Sequence, residues 1–164
     1  MKGNAKVISA LNGLIKDEFT AYNEYLLHAN RAEIWGYDRL ACVLKEHAAD
    51  EAKHVNKLIQ RVLFLMSEPS VSVLGVFYVG KDVPKMIDGD LFLEHDAQEK
   101  YNEAVSLAVD AKDGGTLCVL KENLADEEDH IADLEAFQTQ ISQMGLDNFL
   151  AGLTSVTPIT LGSK

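Results

Sequence analysis

Apolar residues recur at alternating steps of three and four along four long stretches of the chain, which is the spacing of one face of an α-helix. This spacing predicts long helices over about residues 4–34, 38–67, 84–112 and 116–144, and a short amphipathic helix over about 146–152. The tail, residues 153–164, is rich in Ser, Thr and Gly, and we expect it to be mobile. The sequence therefore predicts one all-α domain over residues 1–164.

Two of the three connections between the long helices are short. Gly36 is expected to end the first helix and Asp38 to cap the second, while "KDGG" at 112–115 separates the third helix from the fourth. The segment 68–84 contains Pro, Gly and β-branched residues, has no helical spacing, and is long enough to run the length of a bundle. We therefore expect two helical hairpins joined by a long crossover.

Each of the four apolar stripes is interrupted by a carboxylate, and two of these carboxylates are followed three residues later by a histidine. The residues are Glu18, Glu51, His54, Glu94, Glu127 and His130. A spacing of three places each Glu–His pair on one face of its helix, one turn apart. Because an unpaired buried carboxylate is costly, we expect all six side chains to meet in the centre of the bundle.

The spacing of these residues is repeated in the two halves of the chain. From Glu18 to Glu94, from Glu51 to Glu127 and from His54 to His130 are each 76 residues. A single Glu-x-x-His is typical of a solvated surface pair, but six groups with repeated spacing favour a metal site. Four carboxylates and two imidazoles balance two divalent cations, and oxygen ligands with some nitrogen favour iron or manganese over zinc or copper(I). One Glu from each of two helices and Glu-x-x-His from the other two is the ligand pattern of di-iron carboxylate bundles.

The remaining histidines and one tyrosine give weaker signals. His28 and His95 are expected to be ordinary helix-surface or interface residues. His47 lies one turn before Glu51 and either guides iron or closes the packing, and we favour packing. Tyr25 either packs and binds a carboxylate or donates electrons to oxygen intermediates, and we favour the first role.

Composition narrows the class of protein further. The formal net charge of −11 argues against non-specific nucleic-acid binding and favours attraction of cations. Cys42 and Cys118 lie in apolar helical patterns and outside any C-x-x-C pair, so we expect buried, reduced thiols. The start of the chain has no apolar signal core and no run approaches a membrane span, so a cytoplasmic protein with no membrane partner is expected.

The sequence resembles the bacterioferritins over nearly its whole length. The resemblance lies in "MKGNAKVI", "WGYDRL", "DEAKH", "VLFLMSEP", "DEEDHI" and "MGLDNFL". It implies a ferritin-like four-helix bundle with a long crossover and a short fifth C-terminal helix, assembled into a hollow shell of 24 subunits that stores ferric mineral. It also implies a ferroxidase centre in each subunit, with two irons oxidised by dioxygen or peroxide. Glu18 and His54 would hold one iron, Glu94 and His130 the other, and Glu51 and Glu127 would bridge them.

Ala52 marks a departure from that family. It lies about 100° around the helix from Glu51 and so faces out of the bundle. We predict an outer apolar stripe at a two-fold dimer interface, formed by Ala48, Ala49, Ala52, Val55, Ile59 and Val62. The family's haem-ligating methionine would stand at position 52, and Met66, Met86 and Met144 do not replace it. We therefore predict no haem b in a homo-oligomer, while a shell shared with a haem-binding paralogue stays open.

Two other functions fit parts of this pattern. A soluble di-iron peroxidase or oxidase would use the same ligands, although the chain lacks the C-x-x-C iron site of rubrerythrin-like peroxidases. A haem-free subunit of a mixed shell is the other alternative, and a purely structural role is disfavoured because all six ligands are present.

Overall fold

Five helices account for most of the chain in the computed structural model, which describes residues 2–155. They are α1 (Ala5–Ile34), α2 (Asp38–Phe64), α3 (Val83–Asp110), α4 (Gly114–Met144) and α5 (Leu146–Leu153). The predicted all-α class is confirmed, and the predicted helix limits differ from these by three residues at most. Most of the tail expected to be mobile, residues 156–164, lies outside the described residues.

The long helices pack as two hairpins side by side. Helix α1 packs against α2 and α3 against α4, while α1 also contacts α3 and α2 contacts α4. The pairs α1/α4 and α2/α3 are therefore diagonal across the bundle. This is the predicted ferritin-like arrangement, with α5 folded against α4 and α2.

Polar side chains and glycines define most helix ends, with one difference from expectation. Gly36 follows α1 with a φ of 82°, as a left-handed C-terminal residue should. Asp38 was expected to cap α2, but it is the first helical residue, and Tyr37 before it makes no capping side-chain bond. Asn4, Asp82 and Asp113 cap α1, α3 and α4 by accepting backbone N–H bonds.

The crossover, residues 65–82, forms neither helix nor strand and runs along α1. Its backbone N–H groups donate to polar side chains on one face of α1: Ser70 to Asn12 at 2.7 Å, Gly75 to Thr20 at 2.7 Å, Tyr78 to Glu24 at 2.7 Å and Gly80 to His28 at 3.1 Å. The four acceptors are four or eight residues apart, so they form one stripe. These four side chains accept hydrogen bonds from backbone N–H groups of the crossover, which form no helix or sheet hydrogen bonds.

The apolar interior has two parts. One surrounds Tyr25, Leu44 and Met86, and the other surrounds Leu58 and Leu120. On every long helix the glutamates and histidines of the predicted site lie between these two parts in sequence. The site is therefore a polar layer between two hydrophobic cores.

Two expectations about the outer surface are wrong. Cys42 and Cys118 are exposed rather than buried, because each lies two residues, about 200° of rotation, before a buried leucine, Leu44 or Leu120.

The predicted outer stripe of α2 is also only partly exposed. Ala49 and Ala52 are exposed and Ile59 is half-buried, whereas Ala48, Val55 and Val62 are buried within the subunit. The last three lie 3, 4 and 11 residues from Glu51 and so share its inward face.

No helix within residues 2–155 is both long enough and apolar enough to span a membrane.

Candidate metal centre

All six residues singled out from the sequence lie together in the polar layer. They form two overlapping groups whose potential ligand atoms lie within 4.8 Å of one another: Glu18, Glu51, His54 and Glu127 in one, and Glu51, Glu94, Glu127 and His130 in the other. No member is more than 3% exposed. Glu51 and Glu127 belong to both groups, which is the arrangement that bridging carboxylates require.

The imidazole of His54 faces three carboxylates through one nitrogen. Its Nδ1 lies 3.1 Å from Glu51 Oε2, 3.1 Å from Glu127 Oε1 and 3.5 Å from Glu18 Oε2. The ligands come from three helices, so the bundle itself sets their convergence.

His130 occupies the equivalent place in the other group. Its Nδ1 lies 3.2 Å from Glu51 Oε1 and 3.3 Å from Glu94 Oε1. At these distances His130 Nδ1, Glu51 Oε1 and Glu127 Oε1 nevertheless form no well-aligned hydrogen bond. These atoms are close but not aimed at one another, as expected for donors directed at a common point between them.

Each histidine has an aspartate at its outer nitrogen. His54 Nε2 lies 3.1 Å from Asp126 Oδ2, and His130 Nε2 lies 3.7 Å from Asp50 Oδ2. The aspartate of one Glu-x-x-His motif thus faces the histidine of the other. Such carboxylates orient metal-binding histidines. Helical spacing alone did not indicate these two aspartates, although an Asp stands directly before the Glu in both motifs.

Two buried tyrosines hold the outer carboxylates. The Tyr25 hydroxyl donates to Glu94, and the Tyr101 hydroxyl donates to Glu18. Asn123 Nδ2 in turn donates to the Tyr101 hydroxyl at 3.0 Å. Glu18 and Glu94 are therefore fixed in position, while Glu51 and Glu127 have no tyrosine partner.

Crowding of the four carboxyl groups drives their pKa values apart. Burial raises the pKa of Glu51 well above its ordinary value, and the charge of Glu18 raises it further. Burial and the charge of Glu51 likewise raise the pKa of Glu127. Burial also acts upward on Glu18 and Glu94, but hydrogen bonds outweigh it and lower both pKa values. Glu51 and Glu127 therefore retain protons to higher pH than Glu18 and Glu94 do.

The histidines balance the remaining charge. Burial alone would lower the pKa of His54, but the close carboxyl groups of Glu127 and Glu18 raise it far above its ordinary value. For His130 the close carboxylate of Glu94 overcomes burial and raises the pKa. The carboxylates around each imidazole therefore favour its protonated form while no metal is bound.

The donor set fits two divalent cations. Four carboxylates and two neutral imidazoles would neutralise two divalent charges once the protons leave. The ligands are oxygen and nitrogen, and no thiolate lies among them, which suits iron or manganese. The buried and unpaired atoms Glu51 Oε1, Glu127 Oε1 and His130 Nδ1 are the ones a cation would satisfy.

A cavity of about 260 Å³ leads to the centre between α1 and α3. Glu18, Glu94 and Glu127 line its inner end. Asp17 and Lys100 line its outer side, where Lys100 Nζ lies 3.0 Å from an Asp17 oxygen. The centre is therefore buried, and this cavity reaches its edge at Glu18, Glu94 and Glu127.

The other histidines differ from one another. His47 is buried, stacks on His130 with ring centroids 4.1 Å apart, and has its Nε2 3.3 Å from Asp133, which supports a packing role. The side chain of His95 is 51% exposed, as expected of a surface residue. The expectation for His28 is wrong, because this residue is fully buried. It faces the crossover, whose path could not be predicted from helical spacing.

Comparison with known proteins gives a consistent result. The model of the ferritin-like domain matches residues 8–144. The chain is 34% identical to the bacterioferritin of Brucella melitensis over 91% of this chain and 92% of the relative. It is 35% identical to the bacterioferritin of Rhodobacter capsulatus, over 87% and 86%, and 34% identical to a bacterial ferritin of Synechocystis, over 92% and 97%.

The match covers all four helices that carry the glutamates and histidines of the centre. The chain therefore belongs to the ferritin-like family, and within it to the bacterioferritins.

Proposed function

We propose that this protein is an iron-storage ferroxidase that oxidises Fe²⁺ at the centre within each subunit. Glu18 and His54 bind one iron, Glu94 and His130 bind the other, and Glu51 and Glu127 bridge the two. The observation that carries the proposal is the convergence of these six buried side chains into two groups that share Glu51 and Glu127. Family membership supports iron as the metal, since the relatives are bacterioferritins.

The reaction has iron as its substrate. Each Fe²⁺ loses one electron, and the two electrons with two protons reduce dioxygen to hydrogen peroxide, or reduce hydrogen peroxide to two waters. Hard oxygen ligands favour the ferric product over the ferrous substrate. Two adjacent sites match the two-electron demand of either oxidant, so no one-electron oxygen product needs to leave the protein.

The tyrosines and aspartates position the ligands. Tyr25 and Tyr101 fix one oxygen each of Glu94 and Glu18, which leaves the other oxygen of each carboxylate for iron. Asp126 accepts from the outer nitrogen of His54 and leaves its Nδ1 free to bind, while Asp50 lies 3.7 Å from the outer nitrogen of His130 and faces it without a hydrogen bond. Glu18, Glu94 and His54 are therefore held in place before iron arrives.

The product is stored in a hollow shell, which we propose contains 24 subunits. Large apolar side chains are exposed on the crossover and beside it, namely Leu26, Leu27, Val71, Val73, Leu74, Val76, Phe77, Val79 and Phe92. An apolar surface of this kind is typical of a subunit interface. In the predicted two-fold face, Ala49 and Ala52 are exposed and Ile59 is half-buried. These three residues can therefore contact a second subunit.

The homo-oligomer does not bind haem b in this proposal. Ala52 is exposed on α2, where a two-fold partner would lie, but its methyl group offers no axial ligand. Met66, the exposed methionine after α2, lies 14 residues further along, or about 20 Å at the helical rise. A low-spin haem spectrum with methionine ligation in the pure homo-oligomer would overturn this part of the proposal.

Aerobic iron loading of the purified chain, with particle size measured in parallel, tests the proposal. The wild-type protein should oxidise Fe²⁺ within a cage-sized particle, and Glu127→Gln should slow the initial rate about 100-fold or more, beyond what loss of an outer partner costs. Glu128→Gln is the matched control, because Glu128 is the exposed neighbour of Glu127. Equal rates in wild type and Glu127→Gln would refute the site, whereas oxidation by a small particle would favour a soluble di-iron oxidase or peroxidase.

A further inference from the structure

A second buried polar cluster lies between α1, α3 and the end of the crossover. Its members are Glu24, His28 and Asp90, and none is more than 1% exposed. One potential ligand atom from each lies within 4.8 Å of the other two. None of the three belongs to the centre described above, and the proposed ferroxidase chemistry does not use them.

Hydrogen bonds identify the protonation state of His28. The backbone N–H of Gly80 donates to His28 Nε2 at 3.1 Å, so this nitrogen carries no proton. The proton is therefore on Nδ1, which lies 2.8 Å from Asp90 Oδ1 and donates to it. In this arrangement His28 is neutral, and it cannot balance the charge of its neighbours.

Each carboxylate of the cluster has one oxygen held and one oxygen unpaired. The N–H of Tyr78 donates to Glu24 Oε2 at 2.7 Å, while Glu24 Oε1 has no partner. Asp90 Oδ1 accepts from His28, while Asp90 Oδ2 has no partner. Within residues 2–155 no lysine or arginine forms an ion pair with either group.

Two buried carboxylates without a counter-charge are costly, so the cluster lacks a positive component. Burial raises the pKa of Asp90 to about 7 against the opposing effect of His28, and burial also raises the pKa of Glu24. Both shifts arise mainly from burial, which disfavours the charged form of each carboxyl group when no cation lies beside it.

Gly89 of α3 lets the backbone of the crossover lie close to the cluster. A Cβ atom at Gly89 would lie 2.3 Å from the carbonyl oxygen of Tyr78 and 3.2 Å from Glu24 Oε1. Any other residue at position 89 would therefore collide with the crossover. The bare glycine lets a third oxygen, the Tyr78 carbonyl, lie at the same edge of the cluster.

Helix packing alone does not require these polar residues. In the other half of the molecule, 76 residues away, His28 corresponds to Ala104 and Asp90 to Leu14. Both counterparts are buried and belong to an apolar core. Glu24 and His28 are partly explained by their bonds to the crossover, but the unpaired oxygens of Glu24 and Asp90 are not.

We propose that Glu24 Oε1 and Asp90 Oδ2 bind a divalent cation of the kind that prefers oxygen ligands. His28 orients Asp90 by its hydrogen bond and is not a ligand, in the way that outer partners fix ligands at other metal sites. The cation would connect α1, α3 and, through the Tyr78 N–H on Glu24, the crossover. This site is separate from the ferroxidase centre and does not depend on its function.

Binding of Mn²⁺ to the full-length, metal-free protein tests the site. Free Mn²⁺ is followed by its paramagnetic resonance signal during titration, and the number of tightly bound ions per chain is compared between variants. Wild type should bind one more Mn²⁺ per chain than Glu24→Gln or Asp90→Asn. Asp88→Asn is the matched control, because Asp88 is an exposed carboxylate on the same helix, and it should bind as many ions as wild type. Equal numbers in wild type, Glu24→Gln and Asp90→Asn would overturn the proposal and indicate that a proton holds the pair.

A second measurement covers the case in which the variants do not fold. Anomalous diffraction from wild-type crystals soaked in Mn²⁺ should show a peak between Glu24 and Asp90, distinct from the peaks at the ferroxidase centre. Full occupancy at the ferroxidase centre with no peak between Glu24 and Asp90 would overturn the second site alone.

Discussion

The α1–α2 and α3–α4 hairpins place the same ligands in different surroundings. Tyr25 corresponds to Tyr101 and Asp50 to Asp126, with the same 76-residue offset as the glutamates and histidines. Each tyrosine donates to the outer glutamate of the opposite hairpin, and each aspartate faces the opposite histidine. The repeat therefore includes the residues that hold the ligands as well as the ligands themselves.

The symmetry ends at the next layer of residues. His47 corresponds to Asn123, but His47 stacks on His130 whereas Asn123 donates to the Tyr101 hydroxyl. The crossover bonds to α1 and has no counterpart in the other half of the bundle. In the cluster beside it, His28 and Asp90 correspond to the apolar Ala104 and Leu14, and Glu24 corresponds to Lys100, a residue of opposite charge. The repeat is therefore kept at the six glutamates and histidines and their nearest partners, and it is lost beside the crossover, which joins the hairpins on one side only.

The largest expected effect is a shared dependence on pH. In the metal-free centre the raised pKa values favour protons on Glu51, His54, Glu127 and His130, two from each hairpin. Cations must displace bound protons, so protons should be released as Fe²⁺ binds and the affinity for Fe²⁺ should fall steeply as the pH drops. Anaerobic Fe²⁺ titration at several pH values, with proton release recorded, measures this. Release of fewer than one proton per iron would contradict the charge assignment.

Removal of an outer ligand should be nearly as severe, and equally so in the two hairpins. Glu18→Gln and Glu94→Gln each keep the volume of the side chain but remove its charge, so each should lower the initial Fe²⁺ oxidation rate about 100-fold or more. Initial rates in air measure the effect, and Glu99→Gln, at an exposed position on α3, is the control. A tenfold difference between the two variants would show that the halves are not equivalent.

Replacing the aspartates at the outer histidine nitrogens should weaken iron binding less than loss of a glutamate does, and by different amounts in the two hairpins. Asp126 lies 3.1 Å from His54 Nε2, while Asp50 lies 3.7 Å from His130 Nε2. Asp126→Asn should weaken iron binding about 10-fold and Asp50→Asn less, because the longer contact orients its histidine less firmly. Competition with a chelator measures both affinities, with the exposed Asp129→Asn as the reference. The reverse order of effects would argue against an orienting role.

The smallest effect concerns stability of the metal-free protein. Tyr101→Phe leaves two buried groups unpaired, Glu18 Oε1 and Asn123 Nδ2, whereas Tyr25→Phe leaves only Glu94 Oε1. Tyr101→Phe should therefore cost about 1 kcal/mol more in the free energy of unfolding than Tyr25→Phe.

Thermal and denaturant midpoints of the metal-free variants give the comparison of the two tyrosines. Tyr22→Phe is the reference for loss of a tyrosine hydroxyl from α1 outside the centre. Equal losses for Tyr25→Phe and Tyr101→Phe would mean that the Asn123 bond contributes nothing.

Helical spacing was sufficient to predict the bundle and the position of its polar layer. Glu51 and Glu127 could be found because a carboxylate in an apolar stripe is visible at a spacing of three and four. The 76-residue offset then indicated that both halves contribute to one site.

The positions of several other side chains depended on features that leave no periodic pattern in the sequence. His28 was assigned to the surface because its partner, the Gly80 N–H, belongs to a crossover whose path follows no helical pattern. Val55 was assigned to the outer stripe because it lies three residues from Ala52, although it lies only about 40° around the helix from Glu51 and is buried with it. Cys42 shows the opposite error, since an apolar neighbourhood in sequence did not mean burial.

The central claim is that six side chains from four helices bind two iron ions side by side. The most direct test is diffraction at the iron absorption edge from crystals soaked anaerobically in Fe²⁺. We predict two anomalous peaks roughly 3.5–4 Å apart, one beside Glu18 and His54, the other beside Glu94 and His130, with Glu51 and Glu127 reaching both. A single peak, or iron bound only outside these six residues, would contradict the account.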